Sequence, residues 1–217
     1  MAGWPPVTAA TSYYLQPSGA LRPIVPKDKT GSQSYEYDPR NPVPSIQSRA
    51  GDWLNRPPLD QRAAKDRADI LRFRTMPLSE PVEIAGRASA ELFVSTTAKD
   101  TDFFVRLIDI HPDGFEAVLA SQPLRLRFRE GFDKMLPAAK NKVYRIEIDM
   151  WSTAAVFAKG HRIGVQITSS DSPRFDKHSN TWEPVKSYDA AVVATNTVHY
   201  SADRASRVIL PIVAVKK

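Results

Sequence analysis

Three stretches of the chain alternate apolar and polar residues with a period of two. Ala88, Ala90, Leu92 and Val94 alternate with Ser89, Glu91, Phe93 and Ser95; Leu124, Leu126 and Phe128 with Arg125, Arg127 and Arg129; and Tyr144, Ile146, Ile148 and Met150 with Arg145, Glu147 and Asp149. Successive side chains of a β-strand point to opposite faces, so each pattern predicts a half-buried strand with one face on a core. Further strands are predicted at 13–15, 34–37, 70–74, 82–84, 103–110, 115–120, 163–168, 192–200 and 207–213. Turn chemistry separates several of them, as at Pro112-Asp113-Gly114, Lys159-Gly160 and Ala202-Asp203-Arg204. The sequence contains no amphipathic pattern of four helical turns; 59–68 suits a short helix and 135–140 a single turn. Strands without intervening helices exclude a parallel α/β sheet and argue for an antiparallel sandwich or barrel. The long crossings at 129–143 and 170–191 favour Greek-key connections over a meander. The expected fold class is all-β, a jelly-roll β-sandwich of the galactose-binding-domain-like kind.

Ten of the 18 prolines fall within residues 1–68. Proline lacks a backbone donor, so this density predicts a proline-rich extended N-terminal segment with only short edge strands. The expected organisation is an extended segment, 1–68, packed on a sandwich formed by 69–217, the two together making one domain.

A chain of 217 residues with 42% hydrophobic content can bury a sizeable core. Its net charge of +6 is spread along the sequence without a block of five like charges, which gives little support to nucleic-acid binding. The absence of cysteine excludes a disulfide framework and a thiolate metal site. His111, His161, His178 and His199 are scattered without metal-type spacing, and Asp100-x-Asp102 offers two carboxylates where calcium takes about six to eight oxygens. Neither a metal nor a cofactor is expected. The N-terminal stretch MAGWPPVTAATSYYL has neither a basic start nor a continuous apolar run, so no signal peptide or membrane helix is read there. That inclines the reading toward the cytoplasm while leaving the compartment open. Trp4-Pro5-Pro6 is an abrupt beginning, as of a segment of something longer.

The most informative stretch is 160–181, GHRIGVQITSSDSPRFDKHSNT, in which an alternating strand runs into an unusually polar loop. Arg174, Asp176, His178 and Asn180 crowd this loop. Such a loop suits an interface or a self-capping turn, because Asp and Asn bond nearby backbone amides. Trp53 and Leu54 stand between polar residues and prolines in 45–57, SIQSRAGDWLNRP, as apolar area for an interface or a staple. Trp151 is expected to serve the core and Trp182 to shield a loop. No Gly-x-Ser-x-Gly nucleophile elbow occurs, and no serine has the context of an activated nucleophile. No catalytic residue is therefore assigned.

Several strings occur in a characteristic order: Tyr37-Asp38-Pro39-Arg40-Asn41-Pro42-Val43-Pro44; Pro58-Leu59-Asp60-Gln61-Arg62; Asp100-Thr101-Asp102-Phe103 leading to Pro112-Asp113-Gly114; and Gly160-His161-Arg162 followed by Ser172-Pro173-Arg174-Phe175-Asp176 and Asn180-Thr181. Together, from about Trp4 to Pro211, the chain resembles the C-terminal domain of the cocaine esterase and X-Pro dipeptidyl-peptidase family of serine hydrolases. The resemblance implies an α/β-hydrolase domain with a Ser–Asp–His triad, a helical cap and a following jelly roll, of which this chain looks like the last. The triad lies upstream of the matched region, so none of it carries over. What the resemblance implies is a non-catalytic domain that packs on the α/β-hydrolase catalytic domain, linked or in trans, and completes the cleft of an esterase, amidase or X-Pro dipeptidyl-peptidase. Trp53, Leu54, Arg174, Asp176 and Asn180 are then interdomain or cleft-wall candidates. Homo-oligomerisation is compatible with this reading; nucleic-acid and membrane partners are not expected. The alternative is a stand-alone ligand- or carbohydrate-binding module, which needs an exposed aromatic platform with convergent polar groups.

Overall fold

The computed structural model describes residues 6–46 and 60–214. Among the described residues, twelve strands form two facing layers. The first layer is built on β5 (Val82–Thr96), which carries β8 (Tyr144–Phe157) along one edge. The other edge of β5 is shared by β12 (Arg207–Val213) over its first half and β10 (Ala194–Ser201) over its second. β1 (Thr8–Gln16) and β2 (Ala20–Arg22) continue outward from β12, while β3 (Ser32–Tyr37) and the short β11 (Arg204–Ala205) flank β10. The second layer runs β4 (Leu71–Arg74), β9 (Arg162–Thr168), β6 (Asp102–Ile110), β7 (Glu116–Arg125). One parallel pair, Ala20 with Arg74, joins the layers; the other strand ladders among the described residues are antiparallel.

Leu92 and Val94 of β5, Ile146 and Ile148 of β8, Val198 of β10 and Leu210 of β12 face Phe103 and Leu107 of β6 and Val165 of β9 across the interior. Burying each such side chain contributes about 1.5–3 kcal/mol. This is the all-β sandwich that the alternation predicts, and among the described residues helix is confined to single 3-10 turns.

Several boundaries differ from expectation. β1 is nine residues long and lies between β12 and β2 instead of forming a short edge strand, because residues 7–16 form a proline-free window. The strands predicted at 82–84 and 88–95 are one, bent through Gly86 at φ 135°. The alternation at Leu124–Arg129 does not hold as a strand. β7 ends at Arg125 and the chain turns through Leu126–Phe128, since the Leu126 N–H bonds to Thr101 O and the Arg127 N–H to Asp100 Oδ1. Residues 135–139 form no helical turn: the Leu136 and Ala138 donors are spent on Arg127 O and Lys99 O.

The junction of the layers depends on Gly19. It sits at φ +71°, and a Cβ there would lie 2.7 Å from Arg72 O on β4. Gly19→Ala therefore adds both a disfavoured backbone conformation and a clash with main chain. We expect a loss of about 1–3 kcal/mol, read as a lower urea midpoint with an unchanged m value; an unchanged midpoint contradicts this view of the seam.

Candidate functional site

β6 is buried on both faces. Phe103, Val105 and Leu107 enter the core, whereas Phe104 and Arg106 face outward and are covered by the crossing that follows β9. Phe175 of that crossing meets Phe104 edge to face at 5.3 Å, and Asp171 Oδ1 accepts from Arg106 Nη2 at 2.9 Å. Ser121 Oγ donates to the second Asp171 oxygen at 3.3 Å. Arg106 and Asp171 are 2% and 5% exposed. Burial lowers the Arg106 pKa and the Asp171 charge opposes that shift. The start of the crossing is tied to the segment before residue 46: Val43 N–H bonds to Ser170 Oγ, Ser172 N–H to Val43 O and Ser45 N–H to Ser172 O.

The far end of the crossing is pinned by Asn180. Its backbone is left-handed, φ 62°, a conformation asparagine tolerates better than most residues. The Asn180 N–H donates to His178 Nδ1 at 3.0 Å, its Nδ2 donates to Val192 O at 2.7 Å and Tyr37 O at 3.3 Å, and its Oδ1 accepts from Thr101 Oγ1 at 2.9 Å. Because Nδ1 of His178 accepts, Nε2 carries the proton and presents it to Asp100 Oδ2 at 3.1 Å. The same carboxylate receives Arg127 Nε, while Arg127 Nη2 donates to Trp182 O at 2.6 Å and its guanidinium lies 4.4 Å over the Trp182 ring. Trp182 thus shields this network, in line with its expected role. Burial pushes the Asp100 carboxyl upward, but the hydrogen bonds from His178 and Arg127 outweigh burial and hold it below the usual carboxylate range.

With both ends anchored inward, the middle of the crossing points out. Arg174 is exposed, its guanidinium 3.9 Å from Asp171 Oδ2 and 5.2 Å over the Phe175 ring. Asp176 is exposed beside it and, with Phe175, forms one rim of a groove of about 560 Å³. The groove runs between β7 and β8, whose ladders among the described residues are with β6 and β5; apart from one bridge from Asp60 to Ala117 at the start of β7, they are the free edges of the two layers. Phe132, 85% exposed, and Trp151, 67% exposed, border it.

Trp151 is therefore not a core residue. The alternation places Tyr144, Ile146, Ile148 and Met150 inward, so position 151 has outward parity. A β-bulge then sets its orientation: β8 places two residues opposite one of β5 between the Arg87–Ser152 and Ser89–Asp149 pairs. Trp151 adopts φ 63°, its N–H donates to Asp149 Oδ1 at 3.0 Å, and Asp149 is paired with Arg87. A bulky residue at positive φ costs about 1–3 kcal/mol and persists where surrounding contacts enforce it.

Of the five residues marked from the sequence, Arg174 and Asp176 share one exposed turn, and Asn180 is buried with its amide consumed internally, so it holds the turn without presenting itself. Trp53 and Leu54 lie outside the described residues. Trp151 and Phe132 were not marked, although strand parity was a usable signal for the first.

A second grouping lies at the other end of β6. Asp109 Oδ1 is 2.9 Å from His161 Nδ1 and Asp109 Oδ2 is 3.4 Å from His111 Nε2, the two imidazole centroids being 4.2 Å apart. Antiparallel pairing of Ile110 with Arg162 brings these sequence-distant histidines together.

The Asp100 network generates a pH dependence. A carboxyl whose folded pKa is depressed stabilises the fold above its unfolded value, about 3.9, and that contribution is lost as pH falls toward the folded value. We expect Asp100→Asn to cost about 1–3 kcal/mol at neutral pH, by leaving His178 and Arg127 without their anionic partner. The gap from wild type should narrow below about pH 4. Chemical unfolding at several pH values checks both; a gap constant with pH assigns the loss to shape instead of charge.

The family model of the X-Pro dipeptidyl-peptidase C-terminal non-catalytic domain matches residues 1–209. The cocaine esterase of Rhodococcus sp. (strain MB1 Bresler) is 38% identical over 97% of the chain, and the match spans 39% of that esterase. The solved structure of an aminopeptidase from a marine sediment archaeon, Thaumarchaeota archaeon, superposes with a TM-score of 0.89 at 31% identity, covering 98% of the chain and 38% of the aminopeptidase. An α-amino acid ester hydrolase superposes with a TM-score of 0.85 at 31% identity, covering 94% and 36% respectively. The chain thus spans about two fifths of the length of the relatives it matches. On the extent of the family match and the superposed sandwich, the chain belongs to the X-Pro dipeptidyl-peptidase C-terminal non-catalytic domain family.

Proposed function

We propose that this domain completes an ester- or amide-cleaving α/β-hydrolase by docking on its catalytic portion through the Arg174–Asp176 turn and the groove beside Trp151 and Phe132. The observation that carries the proposal is Trp151: a large aromatic held at positive φ, two-thirds exposed, on a bulged free edge of the sandwich. A strained, exposed tryptophan is a poor choice for a solvent-facing edge and a good one for an anchor, since interfaces draw their affinity from a few aromatic and arginine side chains in desolvated pockets. The mixture around it, Phe132 and Phe175 with Arg174, Asp176 and Glu147, has the polarity of a contact between domains of one protein. The length of the matched relatives beyond this domain supplies the occupant. Their names (esterase, amino acid ester hydrolase, aminopeptidase) support acyl transfer from esters or amides as the chemistry completed. By the family resemblance, Trp53 and Leu54 add apolar surface to the cleft wall, and Asn180 acts indirectly by holding the turn.

A fusion tests this. The chain replaces the matching segment of the Rhodococcus cocaine esterase, and ester hydrolysis and thermal unfolding are measured. Alone, the chain is expected neither to hydrolyse activated acyl esters nor to label with a fluorophosphonate probe. In the fusion, Trp151→Ala is expected to lower kcat/KM or the population of docked enzyme about tenfold or more, while the melting of the isolated chain barely changes because no buried cavity forms. An unaffected fusion, or ester hydrolysis by the chain alone, overturns the proposal. Binding of oligosaccharides at Trp151 in the isolated chain would turn it toward the carbohydrate-module alternative.

A further inference from the structure

The Asp109, His111 and His161 grouping is not needed by the docking face and is separated from it by the length of β6. Asp109, 8% exposed, ends the inward part of that strand; His111 opens the turn that leaves it; His161 closes the turn that enters β9. The turns are held in contact, with Pro112 Cγ only 3.7 Å from where a Gly160 Cβ would stand. Both imidazoles aim a ring nitrogen at the same carboxylate, and the three ligand atoms lie within 4.8 Å of one another. Neighbouring charges are engaged elsewhere: Arg162 Nη1 donates to Thr75 O at 2.9 Å, Lys159 pairs with Glu80 at 3.5 Å, and Asp113 Oδ1 accepts the Phe115 N–H at 2.9 Å.

Two ring nitrogens and one carboxylate converge on a single point, with the imidazole centroids 4.2 Å apart. A cation at the point of convergence suits all three. In a tetrahedral zinc site, with metal–ligand bonds of about 2.0–2.1 Å, donor atoms stand about 3.3 Å apart. Measured to the single oxygen that faces both rings, Asp109 Oδ2, the separations are 3.1 Å from His161 Nδ1 and 3.4 Å from His111 Nε2, which bracket that value. Two imidazoles and a carboxylate, with no thiolate in the chain, form a borderline donor set suited to zinc and its first-row neighbours and unlike the all-oxygen cages that take calcium or magnesium.

We propose that Asp109, His111 and His161 bind one zinc-class divalent cation, which ties the end of β6 to the turn before β9. Three protein ligands leave the fourth position open on the side of His111, whose side chain is 36% exposed. Sequence spacing alone does not reveal the set, because only Asp109-x-His111 is local and the third ligand arrives through strand pairing.

The test uses the tag-free 217-residue chain stripped with a chelator. Titration with zinc against a chromophoric competitor should give one equivalent bound, and cobalt(II) at one equivalent should develop the visible absorption of a four-coordinate site. His111→Ala, at an exposed turn, should fold as wild type by circular dichroism. Like His161→Ala and Asp109→Asn, it should weaken zinc by more than the ~10–100-fold that loss of a mere supporting partner costs. His199→Gln, remote from the site, should bind as wild type. Zinc should raise the melting temperature of the wild type and not that of the ligand variants. Failure to take up zinc, or equal affinity in wild type and His111→Ala/His161→Ala, overturns the assignment.

Discussion

A loop that crosses the outer face of a buried strand must satisfy every polar group it carries inward, and the rest of this molecule is arranged around that requirement. Residues 169–181 cross over β6, and their buried polar side chains find partners: Asp171 on Arg106 and Ser121, Asn180 on Thr101, Tyr37 and Val192, His178 on Asp100, and Ser179 on Thr181 within the crossing itself. Isolated buried charges are costly, and pairing them offsets that cost with little net gain in stability. What the pairing yields here is direction. The ends of the crossing cannot move outward without orphaning buried groups, so Arg174, Phe175 and Asp176 are presented on a fixed turn.

That turn stands beside the place where the sandwich is open. β7 and β8 are edges, and an edge strand offers unpaired backbone groups unless something blunts or covers it. Pro123 in β7 and the bulge at Trp151 in β8 blunt them, and the bulge also sets a tryptophan outward. The alternation that builds the core of β8 and the irregularity that displays Trp151 therefore belong to one strand, so packing and the proposed docking are coupled along it.

Much of this was legible in the sequence. Alternation located β5 and β8 in the first layer and β9 in the second, and the segment 103–108, apolar but for Arg106, agrees with a strand buried on both faces. The crowd of Arg174, Asp176, His178 and Asn180 marked the crossing. What was not legible arises from pairing across large separations. The turn at Leu126–Phe128 exists because Asp100 and Thr101 capture its backbone donors, a contact that the local alternation of leucine and arginine cannot reveal. Likewise the outward pull on Asp176 and the inward pull on Asn180, four residues later, are decided by Thr101, Tyr37 and Val192, so side-chain type alone assigned both to the same face.

The proposed docking face is the 174–176 turn with the β7–β8 groove, set against the catalytic portion. Hydrogen–deuterium exchange on the isolated chain and on the same chain fused to the hydrolase portion tests it most directly, because it reports every amide at once. Added protection in the fusion confined to Arg174–Asp176, Gln122–Arg125, Phe132 and Glu147–Trp151 is the expected result. Protection that appears instead along β1, β2 and β4, with the groove unchanged, contradicts it.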